Sequence, residues 1–180
     1  LICYRGPITL PPNNEWWNEF FTGSWSELYR HMKPDEATGD EVEFIRKVLA
    51  IEPGARVLDV PSGDGRLGIP LALSGFDVTG VELQPELAER ATRTAERKSA
   101  SFSCRQHDMR DLPWWDEFDA AFCFQSSFGY FDDEGNKEFA EAVWHSIKPG
   151  SRFVIDTYVT ELVLRDFKKR ERVQYGEWIR

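Results

Sequence analysis

Cysteine, histidine and long apolar runs are all scarce in this chain of 180 residues. The cysteines are Cys3, Cys104 and Cys123, odd in number and without CxxC spacing, so neither a disulfide framework nor a zinc site is indicated. Cys104 and Cys123 fall in apolar, strand-like runs and read as small buried hydrophobes. His31, His107 and His145 are scattered, which argues against a bound metal. No apolar run approaches the roughly 20 residues of a membrane span. The N-terminus also lacks the charged-then-apolar pattern of a secretion signal. A cytoplasmic protein with no membrane partner is expected. Basic residues are the minority, 22 Lys and Arg against 31 Asp and Glu, for a formal net charge of -9. A surface of that sign repels phosphate backbones, so no nucleic-acid partner is expected. The basic cluster Lys168 to Arg172 is short, is interrupted by Glu171, and suits a solvated helix end. The chain has no internal repeat and no low-complexity segment.

Apolar material is plentiful: hydrophobic residues make up 41% and aromatics 14%, enough for one sizeable core and one main domain. Residues 1 to 14 are rich in Pro and Asn and read as an irregular arm. Trp17, Phe21, Trp25, Leu28, Tyr29 and Met32 then recur at helical spacing, which Gly23 and Ser24 split into two short helices. This aromatic segment, residues 1–37, is expected to act as an arm or lid on a domain spanning 38–180. A helix is predicted over 39 to 50, ended by Pro53 and Gly54. Strand and helix then alternate: a strand at 56 to 60, a helix at 65 to 74, a strand at 77 to 81, a helix at 85 to 98. Strands follow at 101 to 105 and 118 to 124, then a helix at 135 to 147. The turn Lys148-Pro149-Gly150 leads to a strand at 152 to 157. This alternation implies an α/β fold: a Rossmann-like three-layer sandwich with a mainly parallel sheet, an N-terminal helical segment and a short C-terminal part. Ligands of such sheets bind beyond the C-terminal strand ends, near the point where the strand order reverses.

Val57-Leu58-Asp59-Val60-Pro61-Ser62-Gly63-Asp64-Gly65-Arg66 is the strongest local signal. A strand enters a glycine pair: Gly63 supplies a positive φ, and Gly65 lets backbone approach a ligand. Gly63, Gly65 and Gly68 also satisfy G-x-G-x-x-G, a weak match on its own. Glu82 closes the second strand where an acidic residue holds ribose hydroxyls, a feature shared by NAD, FAD and S-adenosylmethionine. Asp59, before the glycines, can meet the amino group of a methionine moiety. Asp108, ahead of Met109 after the third strand, can accept from an adenine amino group. Each has a plainer reading: a turn-capping carboxylate for Asp59, a helix cap for Glu82, loop polarity for Asp108.

Taken in order, these motifs resemble the class I S-adenosylmethionine-dependent methyltransferases from about residue 15 to 165. The stretch Ser126-Ser127-Phe128-Gly129-Tyr130-Phe131-Asp132-Asp133 and the aromatic segment Trp16 to Tyr29 are similar to bacterial small-molecule members. The resemblance implies S-adenosylmethionine as cofactor and methyl transfer to a small-molecule acceptor. It implies cofactor contacts from Asp59, Pro61, Ser62, Gly63, Gly65, Arg66, Glu82, Leu83, Asp108, Met109 and Gln125, with the Tyr29 hydroxyl reaching the cofactor's carboxylate. Pro61-Ser62 and Asp64 depart from commoner residues at those positions. The competing readings are an NAD- or FAD-binding oxidoreductase and a non-catalytic domain of the same fold.

Methyl transfer from a sulfonium is mainly a matter of positioning and of excluding water, so no acid/base pair is required and no catalytic residue is assigned. Gln125, Ser126, Phe128 and Tyr130 are candidates near the methyl, with core packing the alternative for Phe128 and Tyr130. Trp16, Trp17, Phe20 and Tyr29 are lid candidates, with packing on the sheet edge as their alternative. His31 is the one histidine considered as a base. After the fifth strand, Glu161 to Arg172 is expected to cross the sheet as a helix using Leu162, Val163 and Phe167, and Val173 to Ile179 to add one strand. Family members have two further strands there. The expectation is therefore a piece of a longer chain, or a homodimer formed through the C-terminal edge.

Overall fold

The computed structural model describes residues 15–21, 35–165, 167–168, 174–175 and 178–179. Helix α1 (Trp17–Phe20) precedes α2 (Asp35–Leu49). The alternating part runs β1 (Arg56–Asp59), α3 (Gly68–Leu73), β2 (Asp77–Glu82), α4 (Pro85–Lys98) and β3 (Phe102–Gln106). It continues with β4 (Phe118–Cys123), α5 (Asp133–Ser146), β5 (Ile147–Ile155) and α6 (Thr160–Arg165). Strands β1 to β5 form one parallel sheet in the order β3-β2-β1-β4-β5. The chain thus has the expected Rossmann-like α/β architecture. Among the described residues no helix is long and apolar enough to cross a membrane.

The central strands are apolar almost throughout because both their faces are covered. Successive residues of β1 point to opposite sides. Val57 joins Val42, Ile45 and Leu49 of α2, Ile69 and Leu71 of α3, and Ala91 and Ala95 of α4 on one face. Leu58 joins Phe139 and Val143 of α5, with Phe118 and Ala121, on the other. The helix layer changes side because the strand order reverses: from β1 the chain builds outward through β2 to β3, then returns to place β4 on the far side of β1. Right-handed crossovers in opposite directions put their helices on opposite faces. The reversal between β1 and β4 opens a crevice at their C-terminal ends.

Several boundaries differ from expectation. Helix α3 begins at Gly68 rather than residue 65, because Gly65 sits at φ +81°, outside the right-handed helical region. Helix α2 already includes Asp35, ahead of its expected start. Helix α5 begins at Asp133, two residues early, since the Asp132 side chain caps it by accepting from the Gly135 N–H. Lys148-Pro149-Gly150 does not precede the last sheet strand but lies within it. The register jumps from Phe118↔Ile147 to Ala120↔Arg152, so the segment between loops out as a bulge, with Gly150 at φ +84°.

The C-terminal expectations fail more fully. Helix α6 covers Thr160–Arg165, and Val163, Leu164 and Phe167 are exposed instead of packed on the sheet, while residues 166 and 169–173 of the expected helix and strand lie outside the described residues. In place of one added strand, β6 (Gln174–Tyr175) and β7 (Trp178–Ile179) pair antiparallel with each other, as a separate two-stranded unit. A short strand with a close antiparallel neighbour satisfies its backbone locally, without reaching the main sheet. At the other end, α1 realises the first of the two aromatic helices. The second, with Trp25, Leu28, Tyr29, His31 and Met32, lies outside the described residues.

Candidate functional site

A cleft of about 380 Å³ lies at the C-terminal ends of β1, β2, β3 and β4. Its floor begins at Asp59, the last residue of β1, which pairs with Gly80 on one side and Phe122 on the other. The chain then stays wedged between the neighbouring strands: the Val60 N–H donates to the Phe122 carbonyl at 3.0 Å and the Ser62 N–H to the Val81 carbonyl at 2.7 Å. This holds Pro61, Ser62 and Gly63 on the cleft wall. Gly63, at φ +56°, has nothing within 4 Å of where a Cβ would stand. Its open side is room for a ligand.

Gly65 departs from its expected role. It is buried and is not part of the cleft wall. A Cβ there would stand 2.6 Å from Ile69 Cδ1 and 3.4 Å from the Ala91 methyl, so Gly65 is small to let α3 and α4 pack behind the loop. Gly68 serves the carboxylate: a Cβ on it would come within 2.6 Å of Asp59 Oδ2.

Asp59 is 3% exposed, and its Oδ2 is buried without a hydrogen-bond partner. Burial pushes this carboxyl well above the usual carboxylate range; the nearby Gly68 N–H and the Arg66 charge oppose the rise only in part, and the Glu82 charge adds to it. An unpartnered buried carboxylate oxygen is costly, and it calls for a donor, ideally a cationic one.

Glu82 ends β2 and is also buried. Its Oε2 accepts from the Gly63 N–H at 3.0 Å and its Oε1 from the Gln84 N–H at 2.8 Å. The helix-capping alternative is therefore realised in part, since Gln84 is the N-cap residue of α4. Burial raises the Glu82 carboxyl, against the pull of these backbone donors. A carboxylate has about four lone-pair positions, so the two amides leave acceptor capacity for a diol.

Asp108, Met109 and Leu83 line the third side. Asp108 is more engaged than expected: Oδ1 accepts from the Arg110 backbone N–H and from Nε, and Oδ2 from the guanidinium at 2.6 Å. Burial acts to raise its carboxyl, but the Arg110 hydrogen bonds and charge outweigh it and hold it low. Arg66 lines the cleft too, with its guanidinium paired to Thr38 and Glu41 of α2. Tyr29, the remaining expected contact, lies outside the described residues.

Across the reversal point, Gln125 and Ser126 line the cleft at φ +65° and +60°. Two consecutive non-glycine residues in this region are strained and persist only where surrounding structure imposes them. Asp156 imposes it here: its Oδ2 accepts from the Gln125 N–H at 3.0 Å and its carbonyl from the Ser126 N–H at 3.1 Å. Tyr130 also faces the cleft, its hydroxyl 3.3 Å from Ser127 Oγ, with burial pushing the phenol up to about 12. Phe128 instead packs beside the α5 core, near Phe139.

Trp16, Trp17, Phe20 and Phe21 cover the cleft from the N-terminal side. Trp16 meets Tyr130 edge-on at 5.1 Å, Trp17 meets Phe131 at 4.7 Å, and the Gln84 side chain donates to the Asn18 carbonyl at 3.0 Å. Trp16, Trp17 and Phe20 thus both line the cleft and pack on neighbouring rings. Sequence reasoning passed over His107, Phe131 and Tyr158, which also line the cleft. His107 directly precedes Asp108, and that adjacency to a strand end was its available signal. Tyr158 had none, being distant in sequence.

Comparison with known proteins bears on this geometry. A family model described as a methyltransferase domain matches residues 57–150, just over half of the chain. A glycine/sarcosine N-methyltransferase of Parasynechococcus marenigrum is 36% identical over 132 residues, 72% of this chain and 45% of that protein. A ubiquinone biosynthesis O-methyltransferase of Xylella fastidiosa is 31% identical over 140 residues, 76% of this chain and 55% of that one. The chain spans about half the length of these curated relatives. Among solved structures, a TehB-like SAM-dependent methyltransferase from Corynebacterium glutamicum superposes with a TM-score of 0.58 at 23% identity, over 69% of this chain and 68% of that one. This last likeness is one of fold.

Proposed function

The chain belongs to the family of S-adenosylmethionine-dependent methyltransferase domains, and from that premise we propose that its cleft binds S-adenosylmethionine and presents the methyl group to a small-molecule acceptor. The observation that carries the reading is the Asp59 carboxyl, only 3% exposed yet lining the cleft where β1 ends. An ammonium group, directly or through water, adds a cationic donor to the Gly68 N–H that already acts on this carboxyl and offsets part of the cost of burying it.

The other residues fit the same ligand. Gly63 leaves room for its methionine portion, Glu82 retains acceptor capacity for the ribose diol, and Leu83, Asp108 and Met109 form the wall for the adenine. The sulfonium, when bound, supplies an electrophilic methyl with a good leaving group. The chain's own part is then to hold, orient and keep dry. Trp16, Trp17, Phe20 and Phe21 exclude water from above, and segment 1–37 is, in this reading, an arm or lid on the unit 38–180. The turn at Gln125 and Ser126, with Tyr130, faces the position of the acceptor. The names of the relatives, one acting on glycine and sarcosine and another in ubiquinone biosynthesis, favour a small molecule as acceptor. The proposal extends to a homodimer through β5, the more C-terminal of the two outer strands of the described sheet, on which Ile155 is exposed.

Thermal-shift measurement with S-adenosylmethionine, S-adenosylhomocysteine, NAD and FAD side by side tests the central claim. The two sulfur ligands are expected to raise the melting temperature in a concentration-dependent way, and the dinucleotides to leave it unchanged. Stabilisation by NAD or FAD alone would overturn it.

A further inference from the structure

Arg110 is not part of the cleft wall, yet it touches three residues that are. It grips Asp108 through three hydrogen bonds. Its guanidinium lies 4.3 Å from the centre of the Phe131 ring and 5.7 Å from that of Trp17. Those two rings in turn meet edge-on at 4.7 Å, and Trp17 is only 9% exposed. Asp108 follows β3, Phe131 precedes α5, and Trp17 begins α1, so one planar cation joins three segments remote in sequence. Arginine suits the position because one flat group can present a fork to a carboxylate and its faces to aromatic rings, which lysine cannot do together.

We propose that Arg110 is a positioning residue that makes the adenine wall at Asp108 and the aromatic cover at Trp17 a single unit, so that closing the cover and shaping the cofactor site are one event. The inference rests on the cofactor reading given above. Asp108 without Arg110 is free to swing or to take a proton, and Trp17 without Arg110 loses a contact that holds it against Phe131. Each change weakens what the other segment presents to a ligand.

S-adenosylhomocysteine is the probe, since it needs no acceptor. Its affinity is read by calorimetry and its effect on residues 15–21 by hydrogen exchange, in the wild type, R110Q, R110K, W17A and the double variant R110Q/W17A. In the wild type the ligand is expected to slow exchange over 15–21. R110Q should lose about tenfold in affinity, within the range for residues sharing one network, and lose that slowing as well. R110K keeps the charge but not the fork or the stacking, and should fall between. R110Q added to W17A should cost clearly less than R110Q alone, because the joined partner is already gone. Wild-type affinity and protection in both R110Q and R110K would overturn the inference and leave the cofactor reading standing, as would strictly additive effects in the double variant. If the wild type does not bind the probe, both fall.

Discussion

The Gly63 backbone N–H donates to Glu82 Oε2 at 3.0 Å, so the acid that ends the second strand holds the glycine loop that leaves the first. The same carboxylate takes the Gln84 N–H with its other oxygen. Glu82 is thus a brace for two cleft walls as well as a proposed ligand to a ribose diol. Glu82→Ala should weaken S-adenosylhomocysteine binding by about 1.5–3 kcal/mol, the scale of hydrogen bonds to a charged group. It should also lower the melting temperature by freeing both amides. Glu82→Gln retains acceptor oxygen and should lose less on both counts. Calorimetry that finds unchanged affinity in the alanine variant would remove Glu82 from the site.

The two glycines of the loop should respond in opposite ways. Gly63→Asn places a side chain where nothing stands within 4 Å, at a positive φ that asparagine tolerates better than most residues. Stability should fall by only about 1–2 kcal/mol, while ligand affinity falls because the new side chain enters the cleft. Gly65→Val points a branched group into Ile69 and the Ala91 methyl at positive φ, so the chain should be strongly destabilised whatever the ligand does. Denaturant unfolding and calorimetry on both variants separate the roles; a Gly65→Val chain as stable as wild type would contradict the packing role.

This pair shows where the sequence was legible. That a glycine loop follows a strand and precedes a helix is a local pattern, and β1, β2 and α4 fall close to where periodicity puts them. Which glycine opens on the cleft and which faces helix depends on neighbours such as Ala91, 26 positions further along the chain, and no local pattern carries that. Asp59, Glu82 and Asp108 were findable because strand ends in a parallel sheet converge by topology. Arg110's hold on Asp108 was not weighed, although only two positions separate them, since a short polar run reads as loop. The C-terminal region misled for a related reason. Leu162, Val163 and Phe167 are apolar enough for a buried helix face, but periodicity states only that a face exists, not that a sheet lies against it.

Asp156 should prove to be the support of the strained turn. It holds Gln125 through its side chain and Ser126 through its carbonyl. Asp156→Ala removes only the side-chain bond, and the turn should relax toward ordinary backbone angles. Hydrogen exchange at Ser126 and Ser127 should speed up, while affinity for S-adenosylhomocysteine stays within about threefold, a loss smaller than one net hydrogen bond is worth. Asp156→Asn keeps an acceptor oxygen and should restore protection. Unaltered exchange in the alanine variant would show that the turn is held by something else.

Asp59 ties ligand binding to pH. Its carboxyl is raised by burial, so the folded chain binds that proton more tightly than the unfolded chain does. The sign then follows from linkage: this group's contribution to stability is fully present below the ordinary aspartate range and is lost as pH rises through the raised folded value. Above that value the folded protein carries a buried charge with one oxygen left without a hydrogen-bond partner. Glu82, raised in the same direction, adds to the slope. Asp59→Asn deletes the charge and should make the ligand-free protein more stable than wild type above the raised Asp59 value by about 1–3 kcal/mol, the cost of an unsatisfied buried group. It should flatten the decline of stability with pH, and bring the two proteins together at acid pH where wild-type Asp59 is protonated. The same substitution removes the proposed partner of the ligand's ammonium group, so S-adenosylhomocysteine should bind it far more weakly. Wild-type affinity should fall as pH drops through the raised Asp59 value, and the asparagine variant should show no such fall. Thermal melts and calorimetry from pH 5 to 8 read both trends, about the span in which folded proteins are generally most stable. A variant that is less stable than wild type above the raised Asp59 value and binds the ligand equally well would mean that Asp59 is an ordinary structural carboxylate, satisfied by water in the loop, and not the group that receives the cofactor.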